Sequence, residues 1–206
     1  MIFNFTKKYQ FNTRIELDEL HLEQVNTAKL LGIIISEDLT WHANTRDLTK
    51  KAYKRMIILH KLYEFNLPIH ELVNLYMTFI RSVTDQSAVV WHSSLTESEH
   101  TQIERTQKVA LKIILGQNYL NYENALKITK LESLRKRREQ LCLEFAIRCT
   151  KTHSTTDMFP LNQVKSVGRR KTEKYVVTHN KKERLLKSAI PYMQNLLNNQ
   201  PTSKTP

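Results

Sequence analysis

The stretch Lys29-Leu-Leu-Gly-Ile-Ile-Ile-Ser-Glu-Asp-Leu-Thr-Trp41 decides how the amino-terminal part of this chain folds. Its apolar run at residues 30–35 is short, rich in β-branched residues and broken once, by Gly32. Turn-forming residues close the run at positions 36–38, and the apolar alternation then resumes up to Trp41. A short run with turn formers at its end is typical of a strand and not of a helix. The stretch therefore predicts an antiparallel hairpin in which Gly32 marks a bulge or a close backbone approach.

The sequence around this hairpin divides according to its hydrophobic period. Residues 1–41 alternate loosely and predict short strands, whereas residues 42–150 repeat apolar residues at three- and four-residue steps and predict helices. Residues 151–183 are basic and without a sustained period, so we expect a loosely ordered segment. Residues 184–198 predict a last helix interrupted by Pro191, and residues 199–206 predict a mobile tail. The fold class is thus α+β and mainly α, with short N-terminal antiparallel strands followed by a five- or six-helix bundle.

Two of the predicted helices carry clear signals. Thr96 and Glu99 have the spacing of a capping box, which favours a helix start at this point. Gly116 suits the residue that follows the end of the same helix. An earlier helix repeats apolar residues at three- and four-residue steps, which predicts a buried stripe. The members of that stripe are Leu48, Ala52, Met56 and Leu59.

The positive charge of the chain is placed unevenly. The formal net charge is +12. Residues 1–99 carry 11 Lys and Arg against 12 Asp and Glu, whereas residues 100–206 carry 21 against 8. A basic half joined to a neutral half predicts that the second half contacts phosphate and that the first contacts protein. The alternative is that these Lys and Arg residues only form the solvent-exposed faces of helices and bind no partner.

Cysteine usage and hydropathy indicate an intracellular protein. Cys142 and Cys149 are seven residues apart in a helical pattern, about 10 Å by the helical rise, which is too far for a disulfide. We expect both to be buried in a reducing compartment, nuclear or cytoplasmic. The apolar start of the chain is too short for a signal peptide, and no apolar run reaches membrane-spanning length. The sequence therefore predicts a protein that is neither secreted nor inserted in a membrane.

Three basic clusters in the second half are candidates for phosphate contacts. The first cluster shares one helix face, because its members are three and four residues apart. The second cluster lies around the start of the next long helix. The third cluster lies in the loosely ordered segment. The candidate nucleic-acid-binding residues are Arg105, Lys108 and Lys112; Arg135, Lys136, Arg137 and Arg138; and Arg169, Arg170 and Lys171. Contacts of this kind carry no base code and weaken with salt.

Five stretches, taken in order, resemble one known family. They are residues 29–41, Val90-Trp91-His92-Ser93-Ser94-Leu95, residues 103–114, residues 131–138 and residues 188–198. Together they resemble the C-terminal part, palm end and thumb, of non-LTR (LINE-type) retrotransposon reverse transcriptases, over nearly the whole chain to about residue 198.

This resemblance implies specific roles. Residues 1–41 would be a palm-edge hairpin remnant, and residues 42–150 a thumb-like bundle that holds RNA–DNA or other duplex without sequence preference. The primer-grip-like residues would be Leu31, Gly32, Ile33 and Trp41. The missing N-terminal polymerase part would be a further partner.

The chemistry of a polymerase is not written in this sequence. Reverse transcription needs two carboxylates that hold two divalent metals, which the family takes from a Tyr/Phe-Ala-Asp-Asp hairpin. None of the five aspartates is adjacent to another, and the Glu37-Asp38 doublet is better explained as a solvated turn. We therefore expect no catalytic residues, no metal site, no cofactor and no enzymatic activity.

Two alternatives stay open. One is a helical protein-interaction module whose positive charge is incidental. The other comes from residues 31–56, which also resemble the N-terminal module of an AlkB-type tRNA-modifying protein that pairs a 2-oxoglutarate dioxygenase with a methyltransferase. We expect neither of those catalytic cores here.

Overall fold

The computed structural model describes residues 16–17, 20–21, 25–162, 174–177 and 183–200. Within these residues the chain is a mainly helical α+β protein, with two antiparallel strand pairs followed by six helices of seven or more residues and three helices of four residues. The predicted fold class is therefore confirmed. None of the described helices is both long and apolar enough to cross a membrane.

The strand pairs precede the first helix. β1 (Glu16–Leu17) pairs with β2 (Leu20–His21), and β3 (Thr27–Leu30) pairs with β4 (Ile33–Ser36). In the second pair Leu30 lies opposite Ile33, so the hairpin loop contains only Leu31 and Gly32.

The hairpin is present, but the predicted position of its turn is wrong. Leu31 and Gly32 have φ values of 48° and 86°, the left-handed pattern that a tight two-residue hairpin loop requires. Residues 36–38, which were predicted to turn the hairpin, instead lead into the first helix. There the Asp38 carboxylate accepts a hydrogen bond from the Thr40 N–H at 2.9 Å.

The helical part begins directly after this turn. The described helices are α1 (His42–Glu64), α2 (Ile69–Leu75), α3 (Ser82–Asp85), α4 (Ala88–Trp91), α5 (Glu97–Leu115), α6 (Tyr122–Thr129), α7 (Leu134–Lys151), α8 (Glu183–Leu186) and α9 (Ala189–Asn198). A π-helical turn, Tyr76–Arg81, joins α2 to α3. The capping box of Thr96 and Glu99 starts α5, and Gly116 follows its last residue, as predicted.

Helices α1 and α5 lie side by side and parallel. Their starts meet where His42 Nδ1 lies 3.0 Å from Glu99 Oε1, and their ends meet where the Tyr63 ring packs against Gly116. Both helices bury one face in a core that α2 and the π-helical turn complete. The fully buried members of that core include Ala52, Leu59, Leu72, Tyr76, Ile80, Ala110, Leu111 and Ile114.

The β3–β4 hairpin packs into a second core. Ile33, only 9% exposed, lies in one cluster with Leu48 and Trp91, and Ile35 and Trp41 pack against that cluster. The sequence alone predicts that residues 33–35 and Trp41 expose an apolar patch as a separable remnant. That prediction is wrong for Ile33, and the packing joins the hairpin to the helices.

A third core lies between α7 and α9. Cys142 and Cys149 are buried and free, as predicted, and they pack with Phe159, Tyr175 and Met193. Part of the segment 151–183, which was expected to be loosely ordered, is therefore packed. Phe159 and Tyr175 are buried, and Leu161 forms an isolated antiparallel β-bridge with Tyr175.

The helical structure is interrupted between α8 and α9. Pro191 was predicted to interrupt the last helix, but it lies within the first turn of α9. A proline is tolerated there, because the backbone N–H groups of a first turn have no intrahelical partner.

Candidate nucleic-acid interface

One candidate row of cations lies on the exposed face of α5. Arg105, Lys108 and Lys112 are exposed, and among the described residues none of them has a carboxylate partner. The Lys108 ammonium lies 5.1 Å from the centre of the Tyr122 ring, and the Lys112 ammonium lies 5.5 Å from the centre of the Tyr119 ring. These rings support the lysines by a cation–π attraction and leave their charge uncompensated.

A second row lies on α1 and was missed in the sequence. Arg46, Lys50, Lys54 and Lys61 are exposed and fall at steps of four and seven, so they share one helix face. None of the four pairs with a carboxylate in the part of the chain that the structure describes. The two acidic residues of α1 are engaged by other partners, since Asp47 pairs with Lys51 and Glu64 lies near His60.

We call the two rows together the cation face. Both rows lie on the solvent-exposed faces of α1 and α5, which are parallel neighbours. The cation face consists of Arg46, Lys50, Lys54, Lys61, Arg105, Lys108 and Lys112. The carboxylates of α5 are directed elsewhere: Glu97 binds Arg135, Glu99 closes the capping box, and Glu104 reaches α7.

The second predicted basic cluster, at the start of α7, is mostly neutralised. Arg135 donates two hydrogen bonds of 3.0 Å to the Glu97 carboxylate. Lys136 Nζ lies 2.6 Å from Glu132 Oε1, and Arg137 Nε lies 3.5 Å from Asp85 Oδ2. Three of the four predicted phosphate contacts therefore already face carboxylates of this chain.

The prediction that the fourth residue of this cluster, Arg138, contacts phosphate is wrong. Its side chain is 0% exposed, so it cannot contact a phosphate outside the protein. Its Nε donates to His92 Nδ1 at 3.3 Å, and its guanidinium lies over the Trp91 ring. Neither of its Nη atoms has a hydrogen-bond partner in the described structure. Burial lowers the pKa of this guanidinium, and burial together with the Arg138 charge lowers the pKa of His92 to about 3.

Glu104 makes the basic start of α7 possible. Its carboxylate accepts the backbone N–H groups of Leu134 and Arg135 at 3.0 and 3.1 Å and the Tyr122 hydroxyl proton. Four cations in the first turns of a helix are unfavourable, because that end carries the positive end of the helix dipole. The Glu104 carboxylate offsets this cost at the same place.

The four primer-grip-like residues do not form one surface. Leu31 is 89% exposed at the hairpin tip and Gly32 lies beside it, whereas Ile33 is buried and Trp41 is half-buried against the second core. Arg169, Arg170 and Lys171 lie outside the described residues, as do residues 201–206.

No group of three or more His, Cys, Asp or Glu side chains among the described residues could hold a metal ion. Comparison of the chain with protein-family models, with curated proteins and with solved structures found no match.

Proposed function

We propose that this chain binds double-stranded nucleic acid, such as an RNA–DNA hybrid, through phosphate contacts of the cation face and without reading base sequence. The observation that carries this proposal is the set of seven exposed cations on two adjacent helices, none of them paired with a carboxylate in the described chain. Cations without a partner keep their charge available for phosphate, and their counterion release drives binding.

The dimensions of the cation face support a duplex as the ligand. Arg46 and Lys61 are fifteen residues apart, about 22 Å along the helix, and packed helices lie about 8–10 Å from each other. The cations therefore lie on two neighbouring helices and not in a single line. It can engage several phosphates of a duplex at once.

The aromatic residues near the cation face argue against a single-strand platform. Binding of single strands relies on exposed rings on which successive bases stack. The rings of Tyr119 and Tyr122 are half-buried and lie under lysine ammonium groups, so they are not free for stacking. The two tyrosines of α1, Tyr53 and Tyr63, are 39% and 37% exposed, and the Tyr63 ring packs against Gly116.

A salt titration of duplex binding tests the proposal. We expect the logarithm of the association constant, measured by fluorescence anisotropy with a short RNA–DNA duplex, to fall linearly with the logarithm of salt concentration. Replacing Arg105, Lys108 and Lys112 with Gln lowers the slope by about 0.9 for each phosphate that the protein no longer neutralises. Replacing Lys50, Lys54 and Lys61 with Gln has the same effect.

A matched variant separates local contacts from net charge. Replacing Lys136, Lys151 and Lys174 with Gln removes the same charge from exposed positions outside the cation face. We expect this variant to keep most of the wild-type slope. Equal losses in all three triple variants would show that only net charge matters, and would contradict the proposal.

The proposal extends to the origin of the chain, as a non-catalytic C-terminal fragment of a LINE-type reverse transcriptase. Its support is the ordered resemblance of the five stretches and the absence of adjacent aspartates in the sequence. Primer extension with purified protein and a divalent metal should give only background. Template-directed incorporation would refute this reading.

One observation favours the second candidate, a protein-interaction module. The carboxyl-terminal part of α1 exposes Ile57 and Ile58, and Phe65, which follows the helix, is exposed as well. An exposed apolar group rimmed by charge is typical of protein contacts. Absence of duplex binding even at low salt would favour this reading.

A further inference from the structure

Two cations of the cation face differ from the rest because tyrosine rings lie beneath them. The Lys108 ammonium lies 5.1 Å from the centre of the Tyr122 ring, and the Lys112 ammonium lies 5.5 Å from the centre of the Tyr119 ring. The other five cations of this face have no such ring in the part of the chain that the structure describes. An ammonium over an aromatic face is attracted to it, so these two lysines have a preferred position on the surface.

Both rings are themselves fixed by the first core. Tyr119 follows the end of α5, Tyr122 is the first residue of α6, and both are half-buried and pack against that core. The Tyr122 hydroxyl donates a hydrogen bond to the Glu104 carboxylate. Burial, and then Glu104, raise the pKa of this hydroxyl, so it stays protonated as the donor. Contacts within α5 and α6 therefore fix the ring under Lys108.

The supported lysines remain free to bind a ligand. Lys108 and Lys112 are exposed, and an ammonium that faces a ring on one side keeps other N–H donors for a phosphate. The two residues are one turn apart, about 6 Å along the helix. A strand of a duplex advances about 3.4 Å per nucleotide, so phosphates of one strand recur on a comparable scale.

Holding a lysine in advance lowers the cost of binding. A free lysine side chain loses much of its rotamer freedom when its ammonium contacts a phosphate. A side chain that already lies over a ring has lost part of that freedom in the free protein. The remaining loss on binding is then smaller, and the affinity is higher for the same charge.

We propose that Tyr119 and Tyr122 are positioning residues of the duplex site, and that they hold the ammonium groups of Lys112 and Lys108 in place for phosphates of one strand. This inference rests on the proposed function. Neither tyrosine carries a charge, so the rings change the affinity and not the number of phosphates that the protein neutralises. The two effects are measured separately, because that number sets the salt slope.

Removing one ring tests the positioning. We expect Tyr122→Leu to lower the duplex association constant about three- to tenfold at a fixed salt concentration, with the salt slope unchanged. Tyr122→Phe keeps the ring and should keep the wild-type affinity. Tyr53→Leu is the matched control, because Tyr53 is an exposed tyrosine of α1 and no cation lies over its ring in the described structure. It should leave both the affinity and the slope unchanged.

A double-mutant cycle separates positioning from a general structural role. In Lys108→Gln no ammonium remains for the ring to hold, so adding Tyr122→Leu should change the affinity little further. Tyr119→Leu with Lys112→Gln forms a second cycle, which decides if Tyr122→Leu does not fold. Equal losses with and without the lysine, a reduced salt slope in the leucine variants, or wild-type affinity in both of them would overturn the proposal.

NMR of the full chain without a duplex keeps a failure of this inference apart from a failure of the cation face. Protons over an aromatic ring are shifted upfield, so the ε-methylene protons of Lys108 and Lys112 should resonate upfield of those of Lys50. Tyr122→Leu and Tyr119→Leu should each abolish the shift of their own lysine. Equal shifts in all three lysines would overturn the positioning even if the duplex binds. Upfield shifts in a chain that binds no duplex at low salt would instead refute the duplex as the ligand of the held lysines.

Discussion

At the scale of single residues, His92 makes the fold sensitive to acid. Burial and the adjacent Arg138 guanidinium lower the pKa of His92 from 6.5 to about 3, with smaller effects from His100 and Arg135. Between these pH values the unfolded chain binds a proton at His92 that the folded chain does not. The free energy of unfolding should therefore fall as the pH is lowered from about 6.5 to about 3. Urea denaturation at a series of pH values measures this, and His92→Gln should flatten the slope in that window.

Gly32 is required by backbone conformation. With φ at 86°, an alanine at this position is strained by about 1–2 kcal/mol, while the Gln86 amide beside it can turn away. We expect Gly32→Ala to lower the free energy of unfolding by that amount in chemical denaturation. Leu31→Asn is the matched control, because asparagine tolerates a positive φ and the Leu31 side chain is exposed. It should leave the stability unchanged or raise it, and a loss equal to that of Gly32→Ala would contradict this account.

At the scale of secondary-structure elements, Glu104 joins α5 to the start of α7. Its carboxylate accepts two backbone N–H groups of α7 and the Tyr122 hydroxyl. Glu104→Gln removes the charge that offsets the basic first turn and should lower the free energy of unfolding by about 1–3 kcal/mol. Thermal unfolding measures the effect. Glu144→Gln, an exposed change on α7, should have little effect, and equal losses in both variants would show that Glu104 has no special role.

The elements were largely predictable from local signals. The capping box of Thr96 and Glu99, Gly116 and the apolar stripe of α1 depend on neighbours within one or two turns, and the structure agrees with them. The hairpin turn was not predictable in this way. Two-residue hairpin loops with positive φ usually have Asn or Gly at both positions, and here the first position is Leu31.

The candidate site was predictable in part. The spacing of Arg105, Lys108 and Lys112 placed them on one helix face, which the exposed positions of α5 match. The row on α1 was hidden, because the acidic residues of the first half bring its total charge close to neutral. Arg138 carried a signal that was overlooked: it lies four residues after Leu134 and four before Cys142, in the buried stripe of α7.

At the scale of the whole molecule, the amino-terminal hairpin belongs to the helical core. Ile33 packs with Leu48 and Trp91, so deleting residues 1–41 should expose these partners and lower the melting temperature. A separable hairpin remnant would instead be removed without loss of stability. Differential scanning calorimetry of the deleted chain checks it, with Leu31→Ala as the control because that side chain is exposed. An unchanged melting temperature would restore the view of the hairpin as a separable piece.

The parallel pairing of α1 with α5 has a consequence for the free protein. Folding places seven like charges from two segments more than forty residues apart on neighbouring helices, and these charges repel each other. The repulsion is screened by salt, since the Debye length is about 10 Å at 0.1 M ionic strength. Added salt should thus raise the melting temperature of the free chain while it weakens the duplex complex. Charges that bind a ligand therefore destabilise the folded chain when that ligand is absent.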